Sequence, residues 1–202
     1  MNQTKNGPWN SPLLRSQVTS EDVRPPEMLF GYLIGPFGAL LASGIFTSQL
    51  QNYLTNVLKL DLGFLTTLQL LSTILIVAAN LVVGQLIERT RTLAGKARPW
   101  ILLSALTLSV ASVLMFIVPF ADRTARMVWI AIAYNAYYAV GFPIYNTANS
   151  TLVPVSTRNS KQRSTLASLT NIASLGVMGV GSMIFPTLVS MALKEDQHLW
   201  FV

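Results

Sequence analysis

The 202-residue chain contains no cysteine, one histidine and only eight acidic residues. Without cysteine there is no disulfide, thiol nucleophile or thiolate-ligated metal. The single histidine, His198, stands beside Lys194, Glu195 and Asp196, a composition that reads as a solvated loop. No second histidine or paired intramembrane acid accompanies it, so neither a nucleophile–base pair nor a metal-ligand cluster can be assembled. A Gly-rich phosphate loop is also missing, which argues against an ATP-driven pump. The reading is of a non-enzyme with no cofactor and no metal. Charge of either sign is scarce, at 11% of residues against about 25% in an ordinary soluble domain. A soluble chain needs charge to cover its surface, whereas a chain facing lipid does not. The 51% hydrophobic content and mean hydropathy of +0.49 agree.

The shortage of acids leaves a net charge of +6. Its distribution argues against a nucleic-acid partner, because the basic residues fall in short clusters between long apolar runs. That is the pattern of cytoplasmic loops meeting anionic lipid. Crossing hydrocarbon takes about 20 mostly apolar residues. Segments of that kind run from Met28 to Leu50, Phe64 to Ile87, Trp100 to Phe120, Met127 to Val153 and Leu166 to Leu193. A sixth begins at Leu199-Trp200-Phe201-Val202. The third span has no charged face of the kind a soluble helix would carry. Its polar groups, Ser104, Thr107, Ser109 and Ser112, can bond back to their own helix. The expected fold is therefore all-α, a polytopic bundle over residues 27–202 behind a flexible cytoplasmic tail at 1–26. That tail lacks the apolar core and cleavage site of a signal peptide.

Basic residues orient the spans. Lys5, Arg15 and Arg24, then Arg89, Arg91, Lys96 and Arg98, then Arg158, Lys161 and Arg163 lie on one side, while Lys59, Arg123, Arg126 and Lys194 lie on the other. This alternation places the N-terminus in the cytoplasm of a multi-pass cell-membrane protein. Glycine and proline recur inside the spans: Gly35, Pro36 and Gly44 in the first, Gly141 and Pro143 in the fourth, Gly176, Gly179, Gly181 and Pro186 in the fifth. Small residues let membrane helices approach closely and proline bends them.

Polar groups inside the spans are candidates for lining a path. The fourth span carries Asn135, Tyr138, Phe142, Tyr145, Asn146 and Asn149, at steps of three and four that keep most of them on one helical face. Amides, phenol hydroxyls and flat rings together suit a polyhydroxylated ligand such as a sugar. Thr73 and Asn80 share a face of the second span, and Thr170, Asn171 and Ser174 cluster in the fifth. The competing reading is that these groups hydrogen-bond between helices and hold the bundle together.

The connection after the second span reads Gly84-Gln85-Leu86-Ile87-Glu88-Arg89-Thr90-Arg91-Thr92-Leu93-Ala94-Gly95-Lys96-Ala97-Arg98-Pro99-Trp100. Gly84 would permit close helix contact, Glu88 could pair with Arg89 or Arg91 at the membrane edge, and Gly95 would allow a tight turn held by Lys96 and Arg98. Pro99 would open the next helix, where its missing N–H costs nothing. This order resembles the signature between the second and third helices of the major facilitator superfamily. Arg98-Pro99-Trp100 is similar to the form in its glycoside–pentoside–hexuronide cation symporter branch. Gly35-Pro36-Phe37-Gly38, the stretch Tyr53 to Gly63 and Thr151-Leu152-Val153-Pro154 resemble further motifs of that branch, in order and at matching separations.

The resemblance implies the N-terminal half of a secondary transporter, completed by a C-terminal half in the same or another chain. It would bind a small molecule, a sugar or glycoside, between the two halves and expose it alternately to each side. The branch's intramembrane aspartates, which bind the coupling cation and the sugar, fall here on Ile76, Asn80, Leu40 and Asn146, and a basic residue of its fifth helix falls on Thr170. None of the eight acids lies inside a span. Three other readings stand beside this one: a relative moving an amphiphile or lipid, a non-transporting receptor on the same helices, and an inactive truncated product.

Overall fold

Aspartates and prolines set the ends of the helices. The computed structural model describes residues 22–193, so His198, the sixth span and most of the N-terminal tail lie outside it. Five helices are long and apolar enough to cross a membrane: α1 (Pro25–Val57), α2 (Leu62–Arg89), α3 (Arg98–Phe116), α4 (Arg123–Ser156) and α5 (Ser160–Leu193). No strand occurs among the described residues. Asp61 and Asp122 stand in extended backbone immediately before α2 and α4. The Asp61 carboxylate accepts from the Phe64 N–H at 3.3 Å and that of Asp122 from the Ala125 N–H at 3.0 Å, each satisfying a donor the helix start leaves open. Pro99 sits in the first turn of α3, as its position after Arg98 predicts.

Most span limits shift by a few residues from the sequence expectation, and two of the shifts have a clear cause. α3 stops at Phe116, short of Phe120, because Pro119 offers no N–H and pushes the residue before it out of the helical region. α1 continues to Val57, past the expected end at Leu50 and into the Tyr53–Gly63 stretch. Tyr53 and Leu54 are almost completely buried, and the Tyr53 hydroxyl donates to the Phe116 carbonyl at 3.0 Å, so the last turn of α1 is held by α3. All four hydroxyls of the third span bond their own helix: Ser104 to Ile101, Thr107 to Leu103, Ser109 to Ala105 and Ser112 to Leu108.

Proline leaves the same mark on α1 and α4. Pro36 lacks a donor and its ring would crowd the carbonyl four residues back. The chain ahead of it widens into π-helical turns over Met28–Ile34, ending with the Gly35 N–H on the Phe30 carbonyl at 2.8 Å. Pro143 does likewise, with π turns over Ala136–Gly141 and the Phe142 N–H on the Tyr137 carbonyl. In each helix the residue preceding the proline donates five positions back instead of four.

α4 is the centre of the bundle. Of its apolar window 39% is buried, against 17% for α2 and for α5. It packs on α3, on α2 through Ile144 and Ala148 against Val83 and Ile87, and on α1 through Tyr137 and Phe46, whose rings meet edge-on at 4.7 Å. α1 and α5 share the longest seam. Large apolar side chains such as Leu70, Ile74, Leu81, Leu175 and Met183 point outward, a surface that only lipid or further helices can cover. Lipid tails are as apolar as leucine, so close packing and interhelical hydrogen bonds, rather than burial from water, hold these helices together.

At the end carrying the 89–98 connection, Val23, Tyr32, Val153 and Leu166 form a small separate core. The Tyr32 hydroxyl hydrogen-bonds Ser156, the Val23 N–H donates to Gln162 Oε1 at 2.9 Å, and Asn159 Nδ2 donates to Asp22 Oδ1 at 3.2 Å. Of the 1–26 segment, its described residues Asp22 and Val23 are thus tied to the α4–α5 connection.

The α1–α5 seam depends on glycine. A Cβ at Gly44 would run into the backbone of Met178, and one at Gly181 would lie 2.9 Å from the Leu41 carbonyl oxygen. Gly44→Val should therefore destabilise the bundle by about 1–3 kcal/mol, the usual cost of overpacking. Gly176→Ala, where a Cβ meets nothing within 4 Å, should be close to neutral. Unfolding in mixed detergent micelles compares the two.

Candidate functional site

The polar stripe of α4 does not fall on a single face, because the π turns at Ala136–Gly141 insert an extra residue midway. Above them, Asn135 is half-buried, with Nδ2 on the Ala131 carbonyl at 2.9 Å and Oδ1 buried without a hydrogen-bond partner. Tyr138 is half-buried, with ring centroids 4.6 Å from Tyr134 and 4.9 Å from Tyr137. Below them, Tyr145 is buried and its hydroxyl donates to the Pro36 carbonyl of α1 at 3.4 Å. Asn146 is exposed and Asn149 half-exposed. Tyr145 therefore turns toward α1 and does not share an open side with Asn146.

The remaining polar candidates bond their own helices. Asn80 is exposed and donates to the Ile76 carbonyl at 2.8 Å, and Thr73 donates to Gln69 at 2.8 Å. Thr170 donates to Leu166 at 3.0 Å and Ser174 to Thr170 at 2.8 Å, while Asn171 is exposed. These bonds hold no helix to another. Beside the Tyr145 bond to α1, further interhelical bonds come from residues the sequence pattern passed over: Gln69 Nε2 to Gln51 Oε1 at 3.0 Å between α2 and α1, and Tyr53 to α3. Tyr137 and Ser72, both fully buried, were also missed. Ser72 continues the Leu65, Leu68 spacing at a further step of four, which was the available signal.

The 84–100 connection folds around two hydroxyls. Gly95 has φ +95°, a left-handed conformation open to glycine and costly for other residues. Its N–H donates to the Thr92 carbonyl at 3.1 Å, and the Thr92 hydroxyl donates to the Gly95 carbonyl at 2.7 Å. Trp100 Nε1 donates to the Thr90 hydroxyl at 2.9 Å, which itself donates to Leu86 at 2.8 Å. The tryptophan of Arg-Pro-Trp thereby pins the start of α3 to the end of α2. Glu88, Arg89, Arg91, Lys96 and Arg98 are exposed. The close helix contact expected at Gly84 is not made among the described residues: a Cβ there meets nothing within 4 Å. The contacts that exclude a side chain are at Gly44, Gly141 and Gly181 instead.

A cavity of about 480 Å³ lies at the opposite end, lined by Phe120, Asp122, Trp129 and their neighbours on α4. Trp129 Nε1 is held there by the Leu114 and Ile117 carbonyls. None of the sequence-predicted polar residues lines it.

With five apolar helices, a glycine-turned basic connection and polar groups left open within the spans, the comparison with known families is decisive. The profile described as "MFS/sugar transport protein" matches residues 31–202. The chain belongs to that family. Its relatives include proteins named as a transporter and as symporters. The isoprimeverose transporter of Lactiplantibacillus pentosus is 26% identical over 194 residues, covering 93% of this chain and 40% of the relative. The uncharacterized symporter YjmB of Bacillus subtilis is 26% identical over 168 residues, covering 81% and 36%. The inner membrane symporter YicJ of Escherichia coli is 26% identical over 149 residues, covering 74% and 32%. The chain thus spans two fifths or less of the length of these relatives and corresponds to the N-terminal region of the glycoside–pentoside–hexuronide symporter fold. It is a multi-pass membrane protein of a family whose members are transporters and not enzymes.

Within this family's bundle Ser72 is the test of structure against binding. Its hydroxyl is buried without a partner, a condition that costs about 1–3 kcal/mol. Ser72→Ala should raise the thermal midpoint of the purified protein. A midpoint that falls would mean the hydroxyl is satisfied by something bound there.

Proposed function

We propose that the chain is the N-terminal half of a sugar or glycoside transporter working by alternating access. Its polar side chains Asn80, Asn146, Asn149, Thr170 and Asn171, with Tyr138 and Asn135, supply one wall of the substrate path, and a C-terminal half supplies the other. The observation that carries this reading is that the exposed amides of α2, α4 and α5 bond no neighbouring helix, within a chain of the MFS/sugar transport family. Tyr145 supports the wall from behind, through its bond to α1. The N-terminus lies in the cytoplasm of a cell-membrane protein, which puts the 84–100 connection on the inner face beside anionic lipid.

Coupling to a cation does not run through a carboxylate of this half. Asp61, Glu88 and Asp122 all sit at helix ends, and Ile76, Asn80, Leu40 and Asn146 stand at the positions where the branch carries aspartates. A carboxylate in hydrocarbon is costly and kept mainly for function, so its absence is a change of chemistry. In proteoliposomes, uptake of a labelled glycoside should be unaffected by replacing Na⁺ with K⁺, and Asn146→Ala should lower it at least about tenfold, the equivalent of one lost polar contact. Sodium-dependent uptake that Asn80→Ala abolishes and Asn80→Asp retains would overturn this reading.

Glu88, with Arg89 and Arg91, serves as a latch against the second half on the inner face. All three are exposed in the last turn of α2 and just beyond it, free to meet a partner surface. Glu88→Gln should slow uptake while leaving the substrate concentration for half-saturation of equilibrium binding unchanged. Unchanged uptake kinetics would remove Glu88 from the cycle.

A further inference from the structure

α1 and α4 are interrupted by the same device, and the two interruptions touch. In α1 the Gly35 N–H reaches the Phe30 carbonyl and Pro36 then offers no donor. In α4 the Phe142 N–H reaches the Tyr137 carbonyl and Pro143 then offers none. A glycine lies beside each break, where an added Cβ would be crowded. A Cβ at Gly35 would be 2.7 Å from the Gly31 carbonyl oxygen, and one at Gly141 would be 2.9 Å from Leu108 Cδ2. Kinks at proline and at π turns are places where a helix bends rather than slides.

Contact between the breaks comes from Tyr145, two residues beyond Pro143. Its hydroxyl donates to the carbonyl of Pro36 at 3.4 Å, which also accepts from the Leu40 N–H at 3.1 Å. One carbonyl thus serves both the first turn of α1 beyond its break and the side chain of α4. Rotating either peptide plane changes the bond made by the other helix.

The segments on either side of the breaks are held by separate cores. Toward the 84–100 connection, Tyr32 of α1 bonds Ser156 of α4 and packs with Val153 and Leu166. Toward the other end, Phe46 of α1 meets Tyr137 of α4, and both Phe46 and Tyr53 stack against Phe116 of α3. Each pair of half-helices is fastened to itself, and the proline breaks lie between.

We propose that the Gly35–Pro36 and Phe142–Pro143 breaks form one coupled hinge, at which α1 and α4 bend together through the Tyr145 hydroxyl on the Pro36 carbonyl. The half-bundle then has an internal joint: the Tyr32–Ser156 end swings against the Phe46–Tyr137 end. Closing or opening a path would not require the whole half to move as one piece. Hinges of this type absorb their change in a few residues at element breaks.

Amide hydrogen exchange of the full chain in lipid nanodiscs tests this. Pro36→Ala restores a donor in α1 and should slow exchange at least about threefold in residues 28–34, as local opening becomes rarer. If the hinge is coupled, the same substitution also slows exchange in residues 136–141 of α4. Pro143→Ala should produce the reciprocal pair of effects, and it carries the test if Pro36→Ala does not insert. Tyr145→Phe keeps the ring and removes the link. In that background each proline substitution should slow exchange in its own helix alone. Effects confined to one helix with Tyr145 intact, cross-effects that persist in Tyr145→Phe, or no slowing in either stretch would each overturn the proposal.

Discussion

Inside a bilayer a backbone donor or acceptor without a partner has no water to turn to. Much of this bundle follows from how it meets that demand at the few positions where the regular ladder fails. Pro36 and Pro143 each remove a donor, and the chain responds by widening the turns ahead of them until the preceding N–H finds a carbonyl five residues back. Asp61 and Asp122 supply side-chain acceptors where α2 and α4 begin. Serine and threonine hydroxyls along α2, α3 and α5 turn back onto their own helices. Two of the scarce acids, Asp61 and Asp122, are thus accounted for as helix caps.

The broad architecture was legible because its causes are local. Twenty apolar residues without charge are a span wherever they occur. Gly95 could be assigned a tight turn from its place among basic residues, and its φ of +95° agrees. Pro99 could be assigned the start of α3 for an equally local reason.

What the pattern missed depends on neighbours. A period of 3.6 treats Asn135, Tyr138, Tyr145 and Asn146 as one stripe, but the π turns at Ala136–Gly141 shift the register between the first two and the last two. That shift was encoded in Pro143, whose effect on the preceding turn was not carried into the face assignment. The extension of α1 to Val57 came from the burial of Tyr53 against Phe116, a contact between residues far apart in sequence. Gly84 lies in a recognisable motif yet makes no close contact, whereas Gly44 and Gly181, where a neighbouring helix excludes a side chain, lie outside any motif. The sequence marks which positions are small. Only the partner helix decides which of them have to be.

The seam between α1 and α5 has a consequence for how the molecule is made. Its tightest contacts join Gly44 and Leu41 of the first helix to Met178 and Gly181 of the fifth. During synthesis α1 enters the bilayer well before that partner has left the ribosome. α2, α3 and α4 are made in the interval, and α4 packs against α1, α2 and α3. Until α5 is made, the glycine groove of α1 has no helix to close it. The tightest seam among the five described helices thus joins α1 to a helix made much later, so a ribosome stalled within α5 would leave four helices in the membrane with that groove still open.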